Sequence, residues 1–460
     1  MAGACKETVS QMIKMEPRES FTGEEVTKLV DAFKGSERYR QYADNFEYFK
    51  GQNPFILSRV VPESQGAPDN RIPVSYGRRI INIVTGYMYR PGLVQYTSED
   101  EQYFKELQRV FDVNLEPIKT EQIGKQTSIQ GVGYEFHYVT GDTKGDTVRA
   151  IPRFTKLPAT EVIPIYDNEV EPKLWGFIRF IRQQDKEVAW FYTDKAYQKY
   201  AREGEKDNSE FIQVDTGTHY YGAPPLVVYR NNEETIGDFE PVTHLIDAYD
   251  VLVSDSMNEF DRFSFAYLVM KGMSLSQEDA ERLKRTRVFE NLGEKDAVEF
   301  LTKEMATEFI QFMTGLIRNE IHRQSGIPNL EDYDASGASG KTMSKFIYLM
   351  ELFTDPKESY FKTGLYERIV LIDRILAKGT EPDPGRVSIV MNRNTPDNSL
   401  EQAEIFNKFA GFISQRTLIE NFADFVDDVD EEMEQVAEEG DIVNAFGNEQ
   451  GAEEESGIEE

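Results

Sequence analysis

The most continuous pattern in the chain spans residues 226–272. Residues 226–229 are apolar enough to read as a buried strand, Asn231 and Asn232 mark a turn, and a helix opens near 238–242, with Pro241 tolerated in its first turn. On that helix Ile246, Tyr249, Val253, Met257, Phe260 and Tyr267 recur at helical spacing and form one apolar stripe, suited to packing on a neighbour. Asp247, Asp250, Ser254, Asn258 and Asp261 form a second, polar stripe about 100° further round. A polar stripe of this kind is ordinarily a solvated face.

Upstream, Thr22 and Glu25 make a capping box ahead of Val26, Leu29, Val30 and Phe33, with Gly35 as the stop. A second helix over 36–50 places Tyr39, Tyr42, Phe46 and Phe49 on a core-facing stripe and ends at Gly51. The pattern at 76–88 predicts an apolar helix, broken before Pro91-Gly92 and followed by a strand. From 132 to 229 the period becomes two: Tyr134, Phe136 and Tyr138 alternate with Glu135 and His137, a turn at 141–146 closes a hairpin, and 148–154 returns. Further strands are expected at 161–166, 175–181, 189–192 and 212–214. Downstream, 304–324 predicts a helix burying Phe309, Phe312, Met313, Leu316, Ile317 and Ile321, stopped by Gly326 and Pro328. A long helix then runs from Ser339-Gly340 to Leu376, with a kink or restart expected at Pro356, before a strand at 387–391 and helices over 398–436.

Composition narrows the classes. The 460 residues give room for about three domains, and 30 Phe with 23 Tyr make the core strongly aromatic. The single cysteine, Cys5, excludes an internal disulfide framework and fits folding in a reducing cytosol. No apolar run approaches the roughly 18 residues of a membrane span, and no signal peptide precedes the first helix, so no membrane partner is expected. The net charge of −31 argues against nonspecific phosphate binding. Part of it is a tail: after Arg416 there are 17 acids and no Lys or Arg, which leaves −14 for the first 416 residues.

Candidate chemistry is sparse. His137, His219, His244 and His322 show no metal-ligand spacing and are expected at the surface or at helix ends, and no metal or cofactor is expected. Asp142, Asp146 and Asp167 sit in turns, where carboxylates bond their own backbone. The run 329–342 imitates a phosphate-cradling P-loop, but Ala335 stands where its first Gly belongs, Glu331, Asp332 and Asp334 would repel a triphosphate, and no strand leads in. The matching acidic motif, Val370-Leu371-Ile372-Asp373, falls inside an amphipathic helix.

The words carried by the central stretch are Pro225, Asn231-Asn232, Gly237-Asp238-Phe239-Glu240, Leu245-Ile246-Asp247-Ala248-Tyr249, Ser254 and Phe265-Ala266-Tyr267. In order and spacing they closely resemble the tailed-phage portal proteins related to that of Bacillus phage SPP1, and the likeness covers about 40–440. The resemblance implies an α+β portal fold: a mobile N-terminus (1–20), a wing of N-terminal helices and mixed sheet (21–236), a first stem helix (237–269), a small α/β clip (270–303), a second stem helix (304–327), a tunnel loop (328–340), a kinked long helix returning to the wing (341–390), a helical crown (391–440) and an acidic disordered tail (441–460). It implies a non-enzymatic ring, commonly a dodecamer, at one capsid vertex of the virion, assembled in the host cytoplasm. Double-stranded DNA is packaged and ejected through that ring. The expected partners are the terminase large subunit, scaffolding and major capsid proteins, and a head-completion adaptor. The tunnel loop assigns Asn329, Glu331, Asp332, Tyr333, Asp334 and Lys341 to the duplex, although Lys341-Thr342 departs from the apolar or small pair usual there. Asp247, Asp250 and Asp261 become candidates for a channel wall that does not grip phosphates, and Arg282, Lys284, Arg285 and Arg287 for partner docking in the clip. The alternatives are a P-loop packaging motor and a channel-less scaffold or adaptor.

Overall fold

A computed structural model describes residues 13–60, 68–144, 147–203, 209–264, 267–271, 278, 297–301, 307–329, 340–376, 382–395, 416, 429 and 432–435. Its described residues form a mixed α+β structure. One unit comprises Met1–Gly337 with Ser344–Asn394. Ala338–Met343 with Thr395–Glu460 form a second, and the expected crown and acidic tail lie almost wholly outside the described residues.

Helix α1 (Gly23–Gly35) starts at the expected capping box, with Thr22 and Glu25 bonded reciprocally. Its stop is Ser36 rather than Gly35: the Ser36 N–H bonds the Phe33 carbonyl, and its hydroxyl accepts from the Tyr39 N–H to open α2 (Glu37–Lys50). Gly51, in the left-handed region at φ 79°, ends α2 as its sequence suggests. The aromatic stripe of α2 is only partly core. Tyr42 is buried and Phe46 exposed, while Tyr48, off that stripe, is buried and bonded to Asp247. A four-residue turn, α3 (Pro54–Leu57), is capped by Asn53. Helix α4 (Tyr76–Met88) has the bounds the pattern predicts, followed by β2 (Val94–Thr97), and α5 (Glu101–Asn114) and α6 (Glu116–Gln130) complete the N-terminal helices.

The sheet region divides in two. Strands β3 (Val132–Lys144) and β4 (Thr147–Leu157) pair as a long hairpin with β10 (Leu226–Arg230) on the free side of β3. The other sheet has β1 (Ile13–Lys14) parallel to β5 (Val162–Tyr166), followed by the antiparallel strands β6 (Leu174–Gln183), β7 (Lys186–Tyr192), β8 (Ala196–Glu203) and β9 (Ile212–Thr218). Helix α1 covers one of its faces through Val26 and Val30. In β3 the polar beat is not the solvated one. Glu135 and His137 are buried, because β3 is flanked by helices as well as strands.

From the sheets the chain enters α7 (Thr243–Ser264), then two strands, β11 (Tyr267–Lys271) and β12 (Ala297–Leu301), which pair antiparallel, and returns as α8 (Thr307–Ser325), which packs on α7. Tyr267, placed on the α7 stripe by spacing, belongs to β11. Helix α9 (Gly340–Leu376) is continuous through Pro356. After it β13 (Ser388–Met391) pairs with β2, tying the end of this unit to its beginning. Ile246 of α7, Ile321 of α8 and Phe361, Leu365, Ile369 and Ile372 of α9 share one core with α4.

Candidate interaction face on the long helices

Helix α7 is mounted the opposite way round from an ordinary surface helix. Its polar stripe is covered by the chain that precedes α4. Asp250 and Ser254 have 0% exposure, and Asn258 is buried with them. The Val74 N–H donates to Asp250 Oδ1 at 2.9 Å, the Ile72 N–H to Ser254 Oγ at 3.0 Å and the Asn70 N–H to Asn258 Oδ1 at 2.6 Å. The Asn70 amide reaches Asp261 at 2.6 Å, and at the other end Asn53 donates to both Asp247 (3.0 Å) and Asp250 (2.6 Å). Burial raises the Asp250 carboxyl to about 6, against the opposing pull of the bonds from Asn53 and Val74.

The apolar stripe is uncovered over its outer half. Ile246 is buried in the core, but Phe260 is 55% exposed and Met257 is exposed beside it. On α8, Phe309 (61%), Phe312 (65%) and Leu316 are exposed, contrary to the burial their spacing predicts, and on α9 so are Tyr348, Leu349 and Leu352. Scattered apolar side chains at a surface need no explanation, but α7 and α8 pack on each other and each leaves a series of them exposed, which marks a surface suited to contact.

The inner half of α9 carries ionic groups into the core. Arg368, fully buried, donates to both carboxylate oxygens of Glu135, from Nε at 2.9 Å and from Nη2 at 2.7 Å, while Nη1 donates to Glu116 and Thr120, each at 2.7 Å. The guanidinium holds Glu135 at about 2 although burial alone would raise it. Lys357 is buried against Asp238 (2.7 Å) and Ser128 (3.0 Å), and Arg393 collects Glu351, Asp355 and Glu358. These groups were not singled out from the sequence. The signal available was an Arg and a Lys at inward-facing beats of an apolar helix.

The expected site residues fare unevenly. Asp250 is not a wall residue, since its carboxylate is consumed inside the subunit. Asp247 and Asp261 are half-buried and bonded to the same covering segment. Asn329 is buried, with its side-chain oxygen accepting from Arg79 at 3.3 Å, so it does not stand out toward a ligand. Glu331, Asp332, Tyr333 and Asp334 lie outside the described residues, as do Arg282, Lys284, Arg285 and Arg287, and Lys341 is described only as part of the first turn of α9. His137, expected at the surface or at a helix end, is instead buried in a strand against Glu135 at 3.0 Å, while His322 does stand in the last turn of α8, buried with Nδ1 3.1 Å from the Ile327 carbonyl. Asp373, in the P-loop reading's acidic motif, sits within α9 and accepts from Tyr103 at 2.7 Å. Among the described residues no group of His, Cys, Asp and Glu is placed to hold a metal, and no helix is long and apolar enough to cross a membrane.

Residues 34–444 match the family described as "Phage portal protein, SPP1 Gp6-like". The portal protein of Clostridium phage phiCD119 is 23% identical over 435 residues, covering 89% of this chain and 94% of its own. That of Bacillus phage SPP1 is 21% identical over 406 residues, covering 83% and 78%. Among solved structures, a chain from the neck of a native gene transfer agent particle computed with C12 symmetry has a TM-score of 0.47 at 12% identity, covering 88% of this chain and 99% of that one.

Proposed function

The chain belongs to the SPP1 Gp6-like family of phage portal proteins, and on that premise we propose that it assembles into a closed homo-oligomeric ring, through which double-stranded DNA enters and leaves a capsid. The observation that supports the ring most is the exposed apolar series on α7, α8 and α9. Burying one such side chain contributes about 1.5–3 kcal/mol, so Phe309 and Phe312, with the exposed part of Phe260, offer apolar surface for a contact between subunits. A contact between two different faces makes a ring when the rotation it repeats closes on itself. A dodecamer is the ring size proposed, by family likeness.

The same reading makes the ring a docking point at the portal vertex of the virion, formed in the host cytoplasm. The terminase large subunit and a head-completion adaptor would meet Arg282, Lys284, Arg285 and Arg287, and scaffolding and major capsid proteins are the further partners proposed. The acidic run Glu331, Asp332 and Asp334, with Tyr333 and Lys341, would touch the duplex. Of the α7 acids, Asp247 and Asp261, which keep part of their surface open, remain proposed for the wall. The ring does no chemistry of its own; a separate motor drives the DNA. End-on negative-stain images of the purified protein test this: closed rings with an open centre are expected, and a clean monomer at micromolar concentration in moderate salt contradicts it. Saturable ATP binding that Lys341→Ala abolishes would favour a P-loop motor instead.

A further inference from the structure

The segment 68–74 has a larger role in the fold than its length suggests. Its backbone N–H groups at 70, 72 and 74 meet side-chain acceptors at 258, 254 and 250, every second residue of one element against every fourth of the other. The two rises match: two residues of extended chain advance about 6.6 Å, and four of a helix about 6.0 Å. An antiparallel segment can therefore satisfy three successive donors on one helix face with little slip. The sequence is adapted to this. Pro73, which has no N–H, falls on an off-beat where no donor is needed, and it biases Ile72 toward extended backbone. Arg71, on the other off-beat, is held away from α7 by Asp69 and the Leu57 carbonyl. Asn70 and Asn53 close the two ends through Asp261 and Asp247.

We propose that this segment is a strap that fixes the rotation of α7 about its axis, and that Ser254 and Asn258 are positioning residues for assembly. With the polar stripe clipped inward, the stripe about 100° away, Met257 and Phe260, is held outward where a second copy of the chain can reach it. This rests on the ring reading for its consequence but not for its geometry. The titratable and charged groups around the junction are Asp247, Asp250, Asp255 and Asp261 on α7, Tyr48 on α2, and Arg59, Asp69 and Arg71 on the covering chain. The strap itself is held mainly by uncharged donors, so its hold is not a salt-sensitive one.

The test uses the full chain with Cys5→Ser, comparing Ser254→Ala/Asn258→Ala with the parent in dilute, dissociated subunits. Losing both acceptors predicts at least tenfold faster hydrogen exchange at the amides of Asn70 and Ile72. A reporter thiol, Phe260→Cys, is expected to react several-fold more slowly in the acceptor-deleted protein, as the helix turns its apolar face toward cover, and ring formation is expected to need at least tenfold more protein. As a control, Phe260→Asp with the strap intact should block rings while leaving the strap amides protected. Thiol reactivity and assembly at parental levels despite opened strap amides would overturn the proposal, because core packing of Ile246 alone would then set the rotation. Unchanged exchange at those amides would overturn it too. If the parent forms no rings at any concentration the ring reading fails, while exchange and thiol reactivity still decide the strap.

Discussion

Two buried acids, Asp250 and Glu135, sit in the same unit and are driven in opposite directions. Each has lost its water, and each is fully hydrogen-bonded. Asp250 meets only amide donors, so burial dominates and its carboxyl rises to about 6. Glu135 meets the Arg368 guanidinium and falls to about 2. At Asp250 the bonds from Asn53 and Val74 do not offset the loss of water, whereas at Glu135 the buried guanidinium, with His137 beside it, does. The first arrangement suits a junction that clips two segments together, and the second suits a permanent brace between α9, α6 and β3.

Removing the cation gives the largest effect. Arg368→Met leaves Glu135 and Glu116 buried without their charge partner, an expected loss of about 3–5 kcal/mol of subunit stability by denaturant titration. Restoring neutrality with Glu135→Gln and Glu116→Gln in the same chain should recover part of it.

The pH dependences should run opposite ways. Asp250, with its folded value above the unfolded one, contributes stability that is complete below about pH 3.8 and is lost as pH rises through about 6. Glu135, with its folded value depressed, contributes stability present above about 4.5 and lost as pH falls through about 2. Asp250→Asn should flatten the slope between pH 4 and 7 by about 2 kcal/mol, measured as the denaturation midpoint in dilute subunits. A variant that retains the parental slope would locate that titration elsewhere.

A single strap acceptor is worth less. Ser254→Ala strands the Ile72 N–H and is expected to cost about 1 kcal/mol, visible in the denaturation midpoint with no change in its pH profile. Smaller still for the subunit is Phe312→Ser, which should shift dilute-subunit stability by no more than about 0.5 kcal/mol because the ring is already in water.

Much of the scaffold was legible from periodicity. The capping box at Thr22 and the bounds of α4 follow from local rules, the alternation of residues located the β3–β4 hairpin, and a short apolar run located β10. Inside and outside were less legible. A helix with two stripes shows where its faces are, but not which partner each face meets. The donors for Asp250, Ser254 and Asn258 come from a segment some 180 residues earlier, and its pattern carries no periodic signal of its own. Likewise Glu135 and His137 looked like the solvated beat of a strand because their cation, Arg368, is 233 residues away. The outward Phe260, Phe309 and Phe312 looked like core because apolar spacing is the same for a subunit's interior and for a contact between subunits.

Cover for these phenylalanines from a second copy of the chain is open to direct test. The most direct measurement is the mass distribution of the purified protein against Phe260→Asp/Phe312→Asp across a range of concentrations, with circular dichroism to verify the fold. A discrete high-mass ring is expected for the parent and a folded monomer for the double variant. A variant that retains the parental ring at the same concentrations would place the subunit contact on another face.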